Sequence, residues 1–351
     1  MSNSGFWEKL KKPILCLAPM ADVTNAAFRQ IIAKYGKPDI FFTEFVSVDG
    51  LLHQEAREKL LIDLKYSENE RPIVAQIFGS KPENFEKVAK MLVEMGFDGI
   101  DINMGCPVKK VLNQNSCSAL IRTPELAKEI ILATKRGAGA LPVSVKTRIG
   151  FNKIELETWI PKILETKPAA LTVHLRTVKE MSKVPAHWEL MKRVVEKRNE
   201  MKSETLILGN GDVQNLEDAK QKIKKTGCDG AMLGRAIFGN PFLFSREHAS
   251  GKSKISAIKD FFAFLLPSAR TFRRRNHFSQ NIYKKLEVMI EHTKLFEEML
   301  GEHKNFAIMK KHFKAYVNGF DGAKELRIKL METENAEEVE KITRDFLNKL
   351  G

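Results

Sequence analysis

Cysteine is scarce in this chain. Its 351 residues hold four, Cys16, Cys106, Cys117 and Cys228. None forms a CxxC pair, and no His/Cys cluster has zinc spacing, so a metal centre of that kind is not expected. Their wide scatter in a chain of this length argues for reduced thiols and a cytosolic location. Long hydrophobic runs are absent too. Nothing approaches the roughly 18 apolar residues of a transmembrane helix, and no membrane partner is expected. Lys9, Lys11 and Lys12 ahead of the run Ile14–Ala18 imitate a signal peptide. That run is too short, and Asp22 ends it early. There is no low-complexity tract and no long disordered tail. Gly209-Asn210-Gly211 lacks the later glycine of a dinucleotide fingerprint.

What is present is a basic chain with ample core material. The hydrophobic fraction is 43%, the formal net charge is +14 and the pI is about 9.5. The length allows a full barrel or two ordinary domains. The charge points to a polyanionic partner, nucleic acid before membrane.

Short apolar runs alternate with amphipathic stretches from the start. Ile14–Pro19 precedes a helical pattern over Asn25–Tyr35, and Asp39–Val46 precedes one near Leu51–Leu61. Pro72–Gly79 leads into a helix through Met95, with Ser80 and Glu83 read as a capping box. Gly99–Pro107 is followed by Thr123-Pro124-Glu125, a helix start with proline at its first position. Pro142–Gly150, Ala170–Thr177 and Thr205–Val213 precede helices near Glu155–Glu165, His187–Met201 and Asn215–Thr226. Asp229–Ala236 is the eighth run. Alternating strands and helices imply parallel pairing. Eight units in about 240 residues fit a (β/α)8 TIM barrel better than a doubly wound sheet.

The pattern changes after Phe244. Ser245–Ser256 is polar and basic and reads as a linker. Every periodic segment beyond it is helical: Ile258–Arg275, Ile282–Leu300, Asn305–Val317, Ala323–Met331 and Ala336–Leu347. The expected division is therefore a barrel over 1–245, a linker over 246–256 and a small all-α helical bundle over 257–351. Positive charge is denser on the helical part. Arg273-Arg274-Arg275 and Lys310-Lys311 with Lys314, interleaved with Phe and Tyr, lean towards RNA.

In a barrel, chemistry sits where the strands end. The polar residues there form a consistent set. Strand 1 ends in Pro19-Met20-Ala21 and strand 3 carries Gln76. Strand 4 supplies Asn103 and Cys106. Lys146 with Arg148, and His174 with Arg176, are i, i+2 pairs and share a face. The last two strands supply Asn210, Gly211, Asp212, Gly234 and Arg235. Charges within apolar runs are costly unless paired or bound to a ligand. An anion or a polar aromatic cofactor accounts for Lys146, His174 and Arg235. The seventh and eighth strand ends are the usual phosphate site of such barrels, and glycines there permit close approach, with Arg235 a candidate clamp.

The organising stretch is Asp101-Ile102-Asn103-Met104-Gly105-Cys106-Pro107. It begins as an apolar strand and ends in a turn. A free cysteine is most often a small core residue. Cys106 lies past the apolar run, with Lys109 and Lys110 following at once, and a thiol near cations on a loop is placed for chemistry.

These motifs resemble the tRNA-dihydrouridine synthase family (Dus). The matching segments are LAPMADVTNAAFR (17–29), TEFVS (43–47), VAQIFG (74–79), DINMGCPVKKV (101–111), SVKTRIG (144–150), TVHLRT (172–177), GNGDV (209–213), GRAIFGNPFLF (234–244) and KKHFKAYVNGFDGAKELR (310–327). The resemblance covers nearly the whole chain. It implies an FMN-dependent barrel with a helical RNA-binding domain, which uses NADPH or NADH to reduce uridines in tRNA, ribosomal RNA being a second candidate target. A monomer is expected. Carried over by residue, Pro19, Met20, Ala21, Gln76, Lys146 and His174 would contact the flavin. Asn210, Gly211, Asp212, Gly234 and Arg235 would hold its phosphate end. Asn103, Arg148 and Arg176 would face the uracil nucleotide, and Cys106 would be the proton donor.

The family usually has glycine where this chain has Cys117. A tolerated packing change is the expectation, with a second thiol near the site as the alternative. An ordinary cysteine has a pKa of about 8.5, so Cys106 is expected to be a neutral acid at pH 7. Lys109 and Lys110 would oppose that by favouring thiolate, as a nucleophile requires. Two other functions fit less well. A flavin barrel reducing a free small molecule leaves the basic helical part without a task. A non-catalytic RNA-binding protein leaves the strand-end set without one.

Overall fold

The computed structural model describes residues 4–245 and 267–350, with side chains in the second stretch over 281–349. The expected linker 246–256 and the start of the first C-terminal helix, 258–266, lie outside the described residues, as do the side chains of Arg273, Arg274 and Arg275. By its contacts the chain divides into two compact units. One is Met1–Ala26 with Pro38–Ala236. The other is Ala27–Lys37 with Ile237–Gly351.

The first unit is a parallel barrel. Its strands are β1 (Ile14–Leu17), β2 (Phe41–Phe42), β3 (Val46–Ser47), β4 (Ile73–Phe78), β5 (Gly99–Met104), β6 (Val143–Arg148), β7 (Ala170–His174), β8 (Leu206–Asn210) and β9 (Gly230–Leu233). The order around the sheet is β1-β9-β8-β7-β6-β5-β4-β2, with β3 also on β4. All the ladders are parallel. One parallel bridge between Cys16 and Ile40 links β1 to the residues before β2, so the eight positions nearly close. The run Asp39–Val46 holds two short strands where the sequence suggests one. Both pair with β4 and together fill one position of the barrel.

Strands buried on both faces read as near-continuous apolar runs, which is what covering helices produce. The barrel interior is layered. Its lower part is apolar, built from Ile14, Cys16, Val74, Ala170, Leu208 and Met232, with the buried indole of Trp7 packed in the same cluster. Trp7 comes from the short helix Gly5–Lys9. The upper part is polar and forms the site.

Most expected helices are present, with differences at their ends. The helix after β4 runs Pro82–Glu94. Its N-cap is Lys81 with no side-chain cap, so Ser80 does not cap it; Pro82, with φ already helical, starts the first turn instead. Pro124 starts the helix Pro124–Ala138 as expected. Asn215 caps Leu216–Thr226 by accepting from the Asp218 amide at 2.9 Å. The stretch near Leu51–Leu61 is two helices, Val48–Leu52 and Gln54–Leu61, because His53 between them is extended.

The second unit is helical. Pro267–Leu300 is one continuous helix where two were expected, since residues 276–281 contain neither glycine nor proline to stop it. Ala307–Tyr316, Ala323–Glu332 and Ala336–Leu350 follow. Lys311 and Lys314 are exposed on the helix Ala307–Tyr316. Its core includes two buried histidines whose rings meet edge-on, His292 and His312, 4.6 Å apart between centroids. Among the described residues neither ring nitrogen of His292 finds a hydrogen-bond partner, nor does His312 Nε2. Burial holds both well below the ordinary imidazole value, His312 at about 3.

This makes the unit acid-sensitive. The unfolded chain takes up these protons as pH falls through about 6.5, whereas the folded chain does not, so stability drops with pH. For His312 the loss between pH 6.5 and pH 5 is about 2 kcal/mol. The urea midpoint of the full chain should fall between pH 7 and pH 5, and fall less in His312→Phe. Equal slopes in the two proteins would remove the histidine from the account.

Candidate active site

The register of the strands stacks the polar side chains. Gln76 on β4 is level with Asp101 on β5, and Asp101 with Ser144 on β6. Two residues higher, Asn103 is level with Lys146. Above that, Arg148, His174 and Asn210 are level on β6, β7 and β8. The period of two in each strand therefore turns Ser144, Lys146 and Arg148 to one side.

At the base Asp101 is fully buried. It accepts from Ser144 Oγ at 2.6 Å and from Gln76 Nε2 at 2.7 Å. Burial pushes its carboxyl up to about 6, against these two hydrogen bonds and the Lys146 charge. The Asp101 bond fixes which way the Gln76 amide points. Gln76 Oε1 then accepts from Asn103 Nδ2 at 3.0 Å, and Asn103 Oδ1 accepts from the amides of Gly105 and Cys106, each at 3.0 Å. A chain of hydrogen bonds thus runs from a buried carboxylate to the backbone of the cysteine turn. Asn103 caps that turn.

Cys106 stands at the end of this chain, half-buried. Its thiol is held down to about 6. The largest cause is the neighbouring Cys117 thiol; burial works the other way, and the Val108 amide, Lys146 and Arg148 add to the lowering. The expectation of an ordinary neutral thiol is therefore corrected for the free site. Lys109 and Lys110 lie exposed on the following turn and are not among the causes. Cys117 sits at a left-handed φ of +56°, and its buried side chain puts a second thiol beside Cys106.

The arginines are held by carbonyls. Arg148 donates to Gly105 O at 2.7 Å and to the carbonyls of Thr177 and Met181 at 3.1 Å. Arg176 donates to Val184 O at 2.6 Å and pairs with Asp212. It also lies 3.2 Å from His174 Nε2. A guanidinium has no acceptor, so that nitrogen accepts and His174 carries its proton on Nδ1. Burial, with Arg148, Lys146 and two further arginines around it, keeps His174 neutral. Asp212 also accepts from Arg235 at 2.6 Å. Asp212 thus holds two arginines, Arg176 and Arg235, in place at the cavity wall. Gly211 has φ +118°, and a Cβ there would come within 2.8 Å of Ala186 Cβ.

Lys146 is different. Its ammonium is partly buried on the cavity wall, and among the described residues no carboxylate lies within ion-pair distance. Burial and Arg148 lower it to about 8, with Asp101 and Cys106 opposing.

These side chains surround one cavity of about 280 Å³. Every strand-end residue named from the sequence lines it except Ala21, which is exposed. The cavity also has walls that the sequence did not single out: Ala18, Phe45 and Val213. Phe45 lies between β2 and β3, after Thr43 and Glu44, and its own apolar ring did not mark it. Its ring meets Phe78 edge-on at 5.5 Å.

Fold and site together define a parallel β/α barrel with a cationic, ligand-sized cavity at the carboxyl ends of its strands. The Dihydrouridine synthase (Dus) family profile matches residues 16–350. The chain is 40% identical over 346 residues to the probable tRNA-dihydrouridine synthase of Staphylococcus aureus (strain COL), covering 98% of this chain and 96% of that one. It is 39% identical over 349 residues to the probable tRNA-dihydrouridine synthase 2 of Bacillus subtilis (strain 168), covering 99% and 98%. The chain belongs to the dihydrouridine synthase family. Among solved structures, 6-hydroxypseudooxynicotine amine oxidase from Pseudomonas geniculata N1 superposes with a TM-score of 0.52 at 12% identity. That match takes in 67% of this chain and 47% of the other, and it shows the shared barrel fold.

Proposed function

We propose that this protein reduces the C5=C6 bond of specific uridines in tRNA to 5,6-dihydrouridine, with FMN as cofactor and NADPH or NADH as reductant. The observation that carries the reading is the unpaired Lys146 ammonium on a cavity wall it shares with the Cys106 thiol. An isolated buried cation is costly without an anion beside it.

The residues fit a phosphorylated, ring-bearing group. At one end Arg235 and the Gly211 backbone face the cavity. A Cβ on Gly234 would find nothing nearer than Ala18 Cβ at 3.7 Å and Met20 Sδ at 3.9 Å, so ligand atoms can approach that backbone. Pro19, Met20, Gln76, Lys146 and His174 would hold the ring, and Asn210, Gly211, Gly234 and Arg235 the phosphate. When bound, FMN supplies the hydride that goes to C6.

The chain's own residues supply the rest. Cys106 gives a proton to C5 and is left as thiolate. Lys146 and Arg148, both cationic beside it, favour that product. The Asp101–Gln76–Asn103 chain fixes the turn that carries the thiol. The base must leave the RNA stack to reach the cavity. The assigned division of labour is catalysis by the barrel over 1–245 and RNA binding by the basic helices over 257–351, in the cytoplasm. Among the described residues no helix is long and apolar enough to cross a membrane.

The test is to map dihydrouridine in tRNA and ribosomal RNA from cells with and without the protein. The expected result is loss of particular tRNA sites in the deletion, restored by the wild-type chain. Unchanged tRNA, or purified protein that stays colourless after incubation with FMN, would refute the reading.

A further inference from the structure

Asp101 is buried at the base of the site and does not line the cavity. A buried carboxylate is costly unless it is well partnered. This one touches no ligand-facing space, so its place needs a reason other than binding.

The reason lies in the direction of the hydrogen bonds above it. At the upper end the Gly105 and Cys106 amides can only donate, so Asn103 must turn Oδ1 to them, and it does so at 3.0 Å in both cases. Both lone pairs of that oxygen are then used. Asn103 Nδ2 points the other way and can only donate, so Gln76 must meet it with Oε1, at 3.0 Å. Gln76 Nε2 is thereby turned down the barrel, and it too can only donate. Asp101 Oδ2 accepts from it at 2.7 Å, while Oδ1 accepts from Ser144 Oγ at 2.6 Å. The Gln76 backbone has no freedom to compensate, because its amide donates to Thr43 Oγ1 at 3.0 Å. One direction of donation satisfies every member of the chain, and it requires an acceptor at position 101.

We propose that Asp101 is a positioning residue for Cys106: the acceptor it supplies sets the direction of the Gln76 and Asn103 amides and so holds the turn that presents the thiol. This rests on the function proposed above. Without that acceptor Gln76 Nε2 is a buried donor with no partner. Turning the Gln76 amide over to relieve it would set Nε2 against Asn103 Nδ2, donor to donor. Asn103 would then have to turn as well, taking Oδ1 from the Gly105 and Cys106 amides. The fault at the base would thus reach the thiol two strand positions higher. The intact chain also leaves Asn103 one Nδ2–H for the cavity it lines, so it meets a ligand as a donor.

The test uses the full chain as wild type, Asp101→Leu and Asp101→Asn. Leucine is of similar size and has no acceptor. Asparagine keeps one, since its Oδ1 can take the Gln76 bond while its Nδ2 donates to Ser144 Oγ, and that hydroxyl can donate to Ile100 O, 3.5 Å away. The first measurement is amide hydrogen exchange at Gly105 and Cys106, with the ladder amides of β5 as the internal reference. It needs no cofactor and no RNA. Exchange at the two turn amides should be about tenfold faster in Asp101→Leu, the size of one net hydrogen bond, and near wild type in Asp101→Asn. Should the leucine variant fail to fold, Asp101→Ala, which is smaller and cannot clash, is read the same way. Wild-type exchange at the turn in the variant without an acceptor overturns the proposal. Protection lost equally along β5 also overturns it, because the role is then merely structural.

The second measurement is single-turnover uridine reduction at saturating RNA. The variant without an acceptor should be about 10²-fold slower, the cost of a misplaced reacting group, and Asp101→Asn should recover most of that loss. An asparagine variant as slow as the leucine variant would show that the charge is used and not the direction of donation, and would overturn the proposal. If exchange responds as expected and the wild type reduces no uridine, the positioning of the turn stands and the proposed function falls.

Discussion

Cys106→Ala lowers the rate of uridine reduction in tRNA by about 10²–10⁴-fold and leaves FMN and tRNA binding close to wild type. The size follows from what is removed. Cys106 is the ionisable group on its turn that lines the cavity, and losing a general acid costs that much. The alanine keeps the turn, because the bonds that shape it involve the Cys106 backbone, whose amide donates to Asn103 Oδ1 and whose carbonyl accepts from Ser118 Oγ. Flavin contacts fall on other residues, so absorbance of the bound cofactor serves as the control. Single-turnover reduction at the wild-type rate in Cys106→Ala would end the assignment.

The direction of the pH dependence is fixed by the same thiol. An acid must be protonated, so activity is lost as pH rises through the Cys106 pKa. In the free protein that value is lowered to about 6, chiefly by the neighbouring Cys117 thiol. Anions bound beside Lys146 and Arg148 offset two of the charges that hold the value down. The alkaline limb in the complex with RNA should therefore lie above pH 6. Such a donor is a stronger acid than an ordinary cysteine, and still available near neutral pH.

Much of this site could be read from sequence, for a physical reason. A parallel barrel buries its strands on both sides, so each strand is an apolar run, and any polar residue inside one is conspicuous. Lys146, His174 and Arg235 were visible that way. Residues whose chemistry matches their surroundings were not. Phe45 is itself apolar and gives no signal, yet it walls the cavity. Asp101 was visible as a letter, but its bonds to Gln76 and Ser144 come from strands 25 and 43 residues away and depend on register. The sense of the Cys106 shift was unreadable because its chief cause, Cys117, lies eleven positions on and meets it only through the fold. Lys109 and Lys110, adjacent in sequence, turned out to face solvent. Closeness along the chain was a poor guide to closeness in charge.

Lys146→Met separates stability from function in opposite directions. The ammonium is lowered from 10.5 to about 8, chiefly by burial. A lysine whose folded pKa is depressed opposes folding whenever both states are protonated. That cost is fully present below pH 8 and fades as pH rises towards the unfolded value. At one pKa unit per 1.36 kcal/mol, the depression corresponds to about 3 kcal/mol. The free Lys146→Met protein should therefore be more stable than wild type at pH 7 by up to that order, with the gap closing between pH 8 and pH 10. Urea unfolding across this range measures it. FMN should reverse the order, since an anion beside the ammonium removes the penalty in the wild type and has nothing to neutralise in the variant. Turnover should fall by about 10²–10³, the effect of losing one preorganised charge where negative charge gathers. Cys106 alkylation should also shift to higher pH, because Lys146 is one of the cations acting on that sulfur. A variant less stable than wild type without FMN would mean that the lysine has a partner in the folded chain and is not waiting for a ligand. A variant that gains stability and keeps full turnover would remove Lys146 from the chemistry while leaving the cavity an anion site. Gain without ligand, loss with ligand and loss of turnover together are the outcome expected of a cation kept for a bound anion.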